Sequence, residues 1–232
     1  MNNIQWIWFD LDDTLHDFSY TLNKAVSFSL ETICKRINLP FEIARNNYQQ
    51  VIEAKKRLEF ADGRDATEYR RERFRGATKG SQLSEEENSQ LIEEVLVDYD
   101  YIYMNSLVLK NGAVDLLKHL KAAQYKLAIL TDGPQDIQKR VLDKLDLQEY
   151  FDAVYISGEL RISKSQGMLP IVLDKLKISS NNAIMIGDSL ERDVQPALAA
   201  GIKPIWYNET HLPNNLSCDE VSRLEQISNI IL

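Results

Sequence analysis

Five short apolar runs constrain this chain more than any other feature: Ile4–Phe9, Lys126–Thr131, Ala153–Ser157, Ala183–Gly187 and Lys203–Tyr207. Each is rich in Ile, Val, Trp or Tyr, and none alternates strictly with polar residues. A strand with one wet face alternates, whereas a strand covered on both faces stays apolar throughout. The runs therefore read as strands of a parallel sheet, whose crossovers must be long enough to hold a helix. Helical patterns do lie between them: Val114, Leu117 and Leu120 after Gly112; Ile137, Val141, Leu142 and Leu145 after Pro134; then Pro170–Leu176 and Asp193–Ala200. Strand and helix alternate from about residue 106 onward. With right-handed crossovers this gives an α/β fold, a Rossmann-like doubly wound sheet with helices on both faces.

The stretch from Asp17 to Asn105 breaks that alternation. Helical periodicity runs through Leu22–Ile37, Ile43–Leu58, Glu68–Arg75 and Glu85–Met104, with turns expected at Asp62-Gly63 and Gly76–Ser81. Ser84 followed by Glu87 has the spacing of a capping box, in which side chain and backbone satisfy each other at a helix start. The expected division is a core of residues 1–16 and 106–232 and an all-helical domain of residues 17–105, inserted after the first strand. It would lie over the C-terminal edge of the sheet, where open α/β folds bind ligands.

Charge narrows the partners. The formal net charge is −8 and the pI near 5.0, which argues against a nucleic acid polymer. A small anionic substrate stays open, because a bound cation reverses the local field. Cys34 and Cys218 are far apart and in no metal-ligand spacing, so both are expected to be reduced thiols. The N-terminal stretch has no basic region before its acids, and no apolar run reaches membrane length. The expected setting is cytoplasmic, off the membrane, as a monomer or homodimer.

Four polar clusters sit at or soon after strand ends. Asp10-Leu11-Asp12-Asp13-Thr14-Leu15 follows the first run directly. Carboxylates two residues apart at a strand exit can point the same way, and close like charges must share a proton or find a cation. A metal-held nucleophile beside a proton donor is the equipment of phosphoryl transfer through an acyl phosphate. Thr131-Asp132-Gly133 offers a hydroxyl and a turn before Pro134, a plausible phosphate cradle at a helix start. Lys164 can neutralise a phosphoryl group as a point charge. Gly187-Asp188-Ser189-Leu190-Glu191-Arg192-Asp193 supplies carboxylates to an oxygen-rich Mg²⁺ site, which needs few protein ligands. Each cluster alone reads more readily as a solvated turn or a surface lysine. All four together, in one order at strand exits, do not.

In this set the chain resembles the haloacid dehalogenase (HAD) superfamily phosphatases, whose motifs one to four match Asp10–Leu15, Thr131–Gly133, Lys164 and Gly187–Asp193. The resemblance covers the core, the helical insert looks like the C1 type of cap, and the nucleotidase-like group is the most similar. It implies a sheet order of 3-2-1-4-5. It also implies that Asp10 attacks phosphorus to form an aspartyl-phosphate. Asp12 would protonate the leaving oxygen and then deprotonate water. Thr131 and the following backbone of Asp132 and Gly133, with Lys164, would hold the phosphoryl oxygens. Mg²⁺ would bind Asp10, Asp188 and the main-chain carbonyl of Asp12, with Asp193 supporting that shell. The expected activity is hydrolysis of a small phosphate monoester, with a nucleoside 5′-monophosphate favoured over a sugar phosphate or phosphoglycolate.

Two positions depart from the family pattern. Asp132 stands where Asn is commoner, and its side chain is expected to point away from the phosphate. Around Lys164 the usual Glu-x-Gly-x-x-Lys-Pro reads Glu159-x-Arg161-x-x-Lys164-Ser165. The Glu–Lys spacing survives but the Gly and Pro do not, which questions the backbone shape that delivers the lysine.

Other readings are weaker. Dehalogenases of this superfamily lack the acid two residues after the nucleophile, and Asp12 is present. A mutase shares all four motifs. A non-catalytic phosphate-binding protein on the same fold would be favoured by a missing core acid, and Asp10, Asp12, Asp188 and Asp193 are all there. In the insert, the arginines from Arg64 to Arg75 are interleaved with acids and read chiefly as a solvated helix face. Tyr69, Phe74, Tyr99, Tyr101 and Tyr103 read chiefly as cap core, and His16 as a polar hinge residue.

Overall fold

The computed structural model describes residues 4–55, 60–213 and 215–232. Its sheet holds β1 (Trp6–Phe9), β2 (Lys126–Thr131), β3 (Ala153–Ile156), β4 (Ala183–Gly187), β5 (Lys203–Tyr207) and β6 (Asp219–Val221). All pairings are parallel, in the order β3-β2-β1-β4-β5-β6. Five strands fall on the five apolar runs. β6 was not expected: it is three residues long, and only Val221 of it is buried. A short polar strand at a sheet edge blunts further pairing and leaves no hydrophobic signature.

Between β1 and β2 the chain forms α1 (Phe18–Ile37), α2 (Phe41–Lys55), α3 (Ala66–Ala77) and α4 (Glu85–Asn105). The expected extension of α2 to Leu58 lies outside the described residues. The capping box at Ser84 and Glu87 is present, and α3 carries another at Asp65 and Glu68. Tyr48, Phe74 and Tyr99 pack at the centre of the four helices, with ring centroids 5.3 and 5.7 Å apart. The chain enters and leaves this unit through one seam. Asp17 N donates to Val108 O and Lys110 N to Leu15 O, both at 2.9 Å.

The rest of the chain supplies α5 (Ala113–Ala122), α6 (Gln135–Lys144), the single turn α7 (Ser157–Leu160), α8 (Met168–Leu176), α9 (Gln195–Ala199) and α10 (Glu225–Ile231). β1 shows why its run is unbroken. Trp6 and Trp8 pack with Leu130, Met185, Met168 and Val172 in one layer, while Ile7 and Phe9 pack with Ile129, Leu117, Val141 and Ile227 in the other. Each large side chain so buried stabilises the fold by roughly 1.5–3 kcal/mol. No helix among the described residues is long and apolar enough to cross a membrane.

Candidate active site

The four clusters meet at the C-terminal edge of β2, β1 and β4. Parallel register puts Phe9 beside both Ile129 and Ile186, so the residues that follow these strands emerge side by side. Asp10 is only 4 % exposed, and its N–H donates to Ile186 O at 2.9 Å. One carboxylate oxygen each from Asp10, Asp188 and Asp193 lies within 4.8 Å of the other two. Lys164 Nζ is 2.5 Å from Asp10 Oδ1 and also donates to Asp193 Oδ1. The lysine is itself buried.

Three carboxylates against one buried ammonium leave the centre short of positive charge. Burial pushes the Asp10 carboxyl well above the usual range, against the pull of Lys164, and Asp193, Asp188 and Asp12 push it further. Burial, then Asp193, pushes Asp188 up to about 7. Burial acts to lower the Lys164 pKa, but Asp10 and Asp193 outweigh it and hold the ammonium charged. Asp188 Oδ1 is buried without a hydrogen-bond partner among the described residues. An orphan carboxylate oxygen in an all-oxygen acidic cluster fits a hard divalent cation such as Mg²⁺.

The support for these groups is local. Gly187 closes β4 where a Cβ would stand 2.3 Å from Asp193 Cγ, so only glycine lets that carboxylate pass the backbone. A π-helical turn, Leu190–Val194, follows Ser189. It brings Asp193 Oδ2 back to accept from Ser189 N at 3.0 Å. Trp206 Nε1 on β5 donates to Asp188 O at 2.7 Å and anchors the loop from the neighbouring strand.

The departures at Asp132 and Arg161 have physical answers. Arg161 sits in the left-handed region at φ 57°, so the turn expected of glycine is made by arginine. The strain is about 1–2 kcal/mol. The Asp132 carboxylate is turned to the backbone of the next loop and accepts from Lys164 N at 3.0 Å. That bond fixes the segment whose Pro is absent. Gly133 N donates to Ser157 Oγ at 2.9 Å, which ties the β2 exit to α7. Thr131 Oγ1 is buried with no partner among the described residues and remains able to meet a ligand.

Asp12 lies apart from the three-carboxylate cluster. Its Oδ1 is 2.8 Å from His16 Nε2 and its Oδ2 accepts from Gln138 Nε2 at 3.0 Å. His16, expected to be a hinge residue, is fully buried. Sequence reasoning missed Gln138 and Ser157 altogether, since neither belongs to a motif. The only signal for Gln138 was its position one residue after Ile137 in an otherwise apolar stripe. Above Asp12 a pocket opens between core and insert, lined by Gln138 and Gly133 below and Tyr69, Arg70 and Arg73 above. Arg70 lies over the rings of Tyr99 and Tyr103 and 3.3 Å from Asp100. Arg73 lies over Phe60, and no carboxylate among the described residues pairs with it.

Comparison with known proteins identifies the family and the fold. The family model for haloacid dehalogenase-like hydrolases matches residues 4–201. The pyrimidine 5′-nucleotidase PynA of Streptococcus pneumoniae is 38 % identical over 107 residues, a match spanning 45 % of either chain. The N-acylneuraminate-9-phosphatase of Mus musculus is 24 % identical over 215 residues, 90 % of this chain and 85 % of that one. Among solved structures, the HAD-hydrolase YfnB of Bacillus subtilis bound to magnesium superposes with a TM-score of 0.77 at 23 % identity, covering 99 % of each chain.

Proposed function

The chain belongs to the haloacid dehalogenase-like hydrolases, and from that premise we propose that it is a Mg²⁺-dependent phosphate monoester hydrolase working through an aspartyl-phosphate on Asp10. The observation that carries this reading is the buried Asp10 carboxylate, 2.5 Å from Lys164 and gathered with Asp188 and Asp193. A carboxylate kept from water, with a cation beside it, suits attack on phosphorus better than any structural duty.

Residues 17–105 act as the cap and the rest as the catalytic core. Asp10 attacks the phosphoryl group in line, and Asp12 gives its proton to the leaving oxygen. Asp12 then takes a proton from the water that hydrolyses the aspartyl-phosphate. Lys164, the Thr131 hydroxyl and the backbone of Asp132 and Gly133 bind the phosphoryl oxygens. Asp10, Asp188 and the Asp12 main-chain carbonyl would hold Mg²⁺, with Asp193 bracing Lys164. Bound there, the ion supplies positive charge to oxygens whose stabilisation dominates this chemistry.

For the substrate we favour a nucleoside 5′-monophosphate. Tyr69 and the arginines of the pocket offer a stacking face and hydrogen-bond donors to a base, and the likeness to PynA supports the same class. A second reading, an acidic sugar phosphate or phosphoglycolate, is favoured by Arg73. A guanidinium in the pocket with no carboxylate partner among the described residues suits a substrate carboxylate. A phosphate-release screen over phosphorylated metabolites, with Mg²⁺ and with chelator, separates the two. Asp10→Asn should keep the fold and lose turnover by at least about 10³-fold; near wild-type activity in that variant would sink the assignment.

A further inference from the structure

We propose that Gln138 and His16 are positioning residues that clamp the Asp12 carboxylate from two sides; this rests on the role of Asp12 given above. Each Asp12 oxygen is taken by a different element. Oδ1 is held at 2.8 Å by His16, on the turn entering α1, and Oδ2 at 3.0 Å by Gln138, on the core helix α6. Both holders are buried, His16 at 0 % and Gln138 at 5 % exposure, whereas the Asp12 side chain remains 17 % exposed toward the pocket.

Burying a polar side chain is costly unless it is paired. Here the pairing is incomplete, because His16 Nδ1 and Gln138 Oε1 have no partner among the described residues. Among the described residues the only side-chain hydrogen bond of each runs to Asp12. Leucine at either place would bury a similar volume with no orphan polar atom of its own, and the half-open Asp12 carboxylate, 17 % exposed, could take water instead, so stability alone does not account for these residues. Gly133 leaves room for the amide where it now lies: a Cβ there would lie 2.5 Å from Gln138 Nε2. The backbone beside the amide is kept bare, and the amide reaches Asp12 through that gap.

One hydrogen bond leaves a carboxylate free to swing about the bond axis; two, on separate oxygens, fix its plane. A group that must donate a proton to one oxygen and take it from another needs that plane fixed, since a displacement of 1 Å costs about 10²-fold in rate. The pair thus serves both half-reactions without touching the phosphoryl group.

The test uses leaving groups of different basicity. An alkyl phosphate turned over by the wild type needs its leaving oxygen protonated, whereas p-nitrophenolate departs without a proton. Gln138→Leu and His16→Leu should lower kcat on the alkyl phosphate by about 10- to 100-fold, with KM within about twofold. With p-nitrophenyl phosphate, first-turnover release should fall less than about threefold. It should appear as a burst of one product per enzyme, because hydrolysis of the aspartyl-phosphate still needs Asp12. His16→Gln, which returns a donor, should recover most of the loss, and Gln138→Met serves where the leucine variant melts early. Unchanged kcat on the alkyl phosphate overturns the clamp, as does an equal loss on both substrates without a burst. A wild type that releases phosphate from neither overturns the phosphatase reading itself.

Discussion

Lys164→Met isolates what the buried ammonium does for the protein before any substrate binds. The lysine is 2 % exposed, and its partners Asp10 and Asp193 are 4 % and 1 % exposed. Methionine fills the same space and removes the charge, leaving two buried carboxylates in metal-free protein with the more exposed Arg192 as their remaining nearby positive charge. Breaking a buried pair from one side costs about 3–5 kcal/mol. For a chain of this length each kcal/mol moves the melting temperature by about 2–4 °C, so the variant should melt roughly 6–20 °C lower in chelator. The loss must also depend on pH. Without the lysine, which pulls the Asp10 carboxyl down, the folded state holds a proton on Asp10 still more tightly than the unfolded chain does, so stability falls as pH rises. The deficit should be larger at pH 8 than at pH 5.5. Mg²⁺ at a hundred times its dissociation constant should return about 2.7 kcal/mol if it binds the folded site alone. Thermal melts followed by circular dichroism at both pH values, with chelator and with Mg²⁺, measure all three effects. A shift below about 2 °C at pH 8 in chelator, or a larger deficit at pH 5.5, would refute the view of Lys164 as the internal counter-charge of this site.

Two further outcomes follow from the same geometry. Asp188 is held up to about 7 against an ordinary 3.8; its contribution is full below the unfolded value and lost as pH rises through the folded one. Metal-free protein should therefore lose stability between pH 4 and pH 7, by up to about 4 kcal/mol from this group. Asp188→Asn should flatten that slope and abolish the thermal shift on adding Mg²⁺; a persisting Mg²⁺ shift would contradict its place as a ligand. Gly187→Ala puts a methyl group 2.3 Å from Asp193 Cγ, so phosphate release should fall at least about tenfold as Asp193 and Lys164 are displaced. Wild-type rates in that variant would show that Asp193 needs no such tight seat.

How much of this could be read from the chain depends on how each residue earns its place. β1, β2, β4 and β5 were legible because strands covered on both faces stay apolar along nearly their whole length, as Trp6 to Phe9 do, and the edge strand β3 because it is still apolar though half-buried. β6 was not, because an edge strand of Asp, Glu and Val has one buried side chain. The helix expected from Asp193 begins later, at Gln195, since the π turn uses Asp193 to reach back to Ser189. Asp10 and Asp188 were legible as charged residues directly beyond strands, where solvent or a ligand must receive them, and Lys164 by its spacing from Glu159 in the segment after β3. Gln138, Ser157 and the contact of His16 with Asp12 were not. Their parts are set by which atoms meet across the fold, and no spacing along the chain encodes that. Arg161 shows the converse, since a residue that argued against a glycine turn adopts the turn anyway.

The seam between Asp17–Val108 and Leu15–Lys110 has a consequence for how such a protein can be re-engineered. Exit and return occur shoulder to shoulder, so the four helices hang from the sheet like a cassette from one fitting. A different cassette spliced at the same two points meets no demand from strand register, and its ends need only arrive close together. The residue that the fitting must keep is His16, because it belongs both to the joint and to the chemistry beneath it.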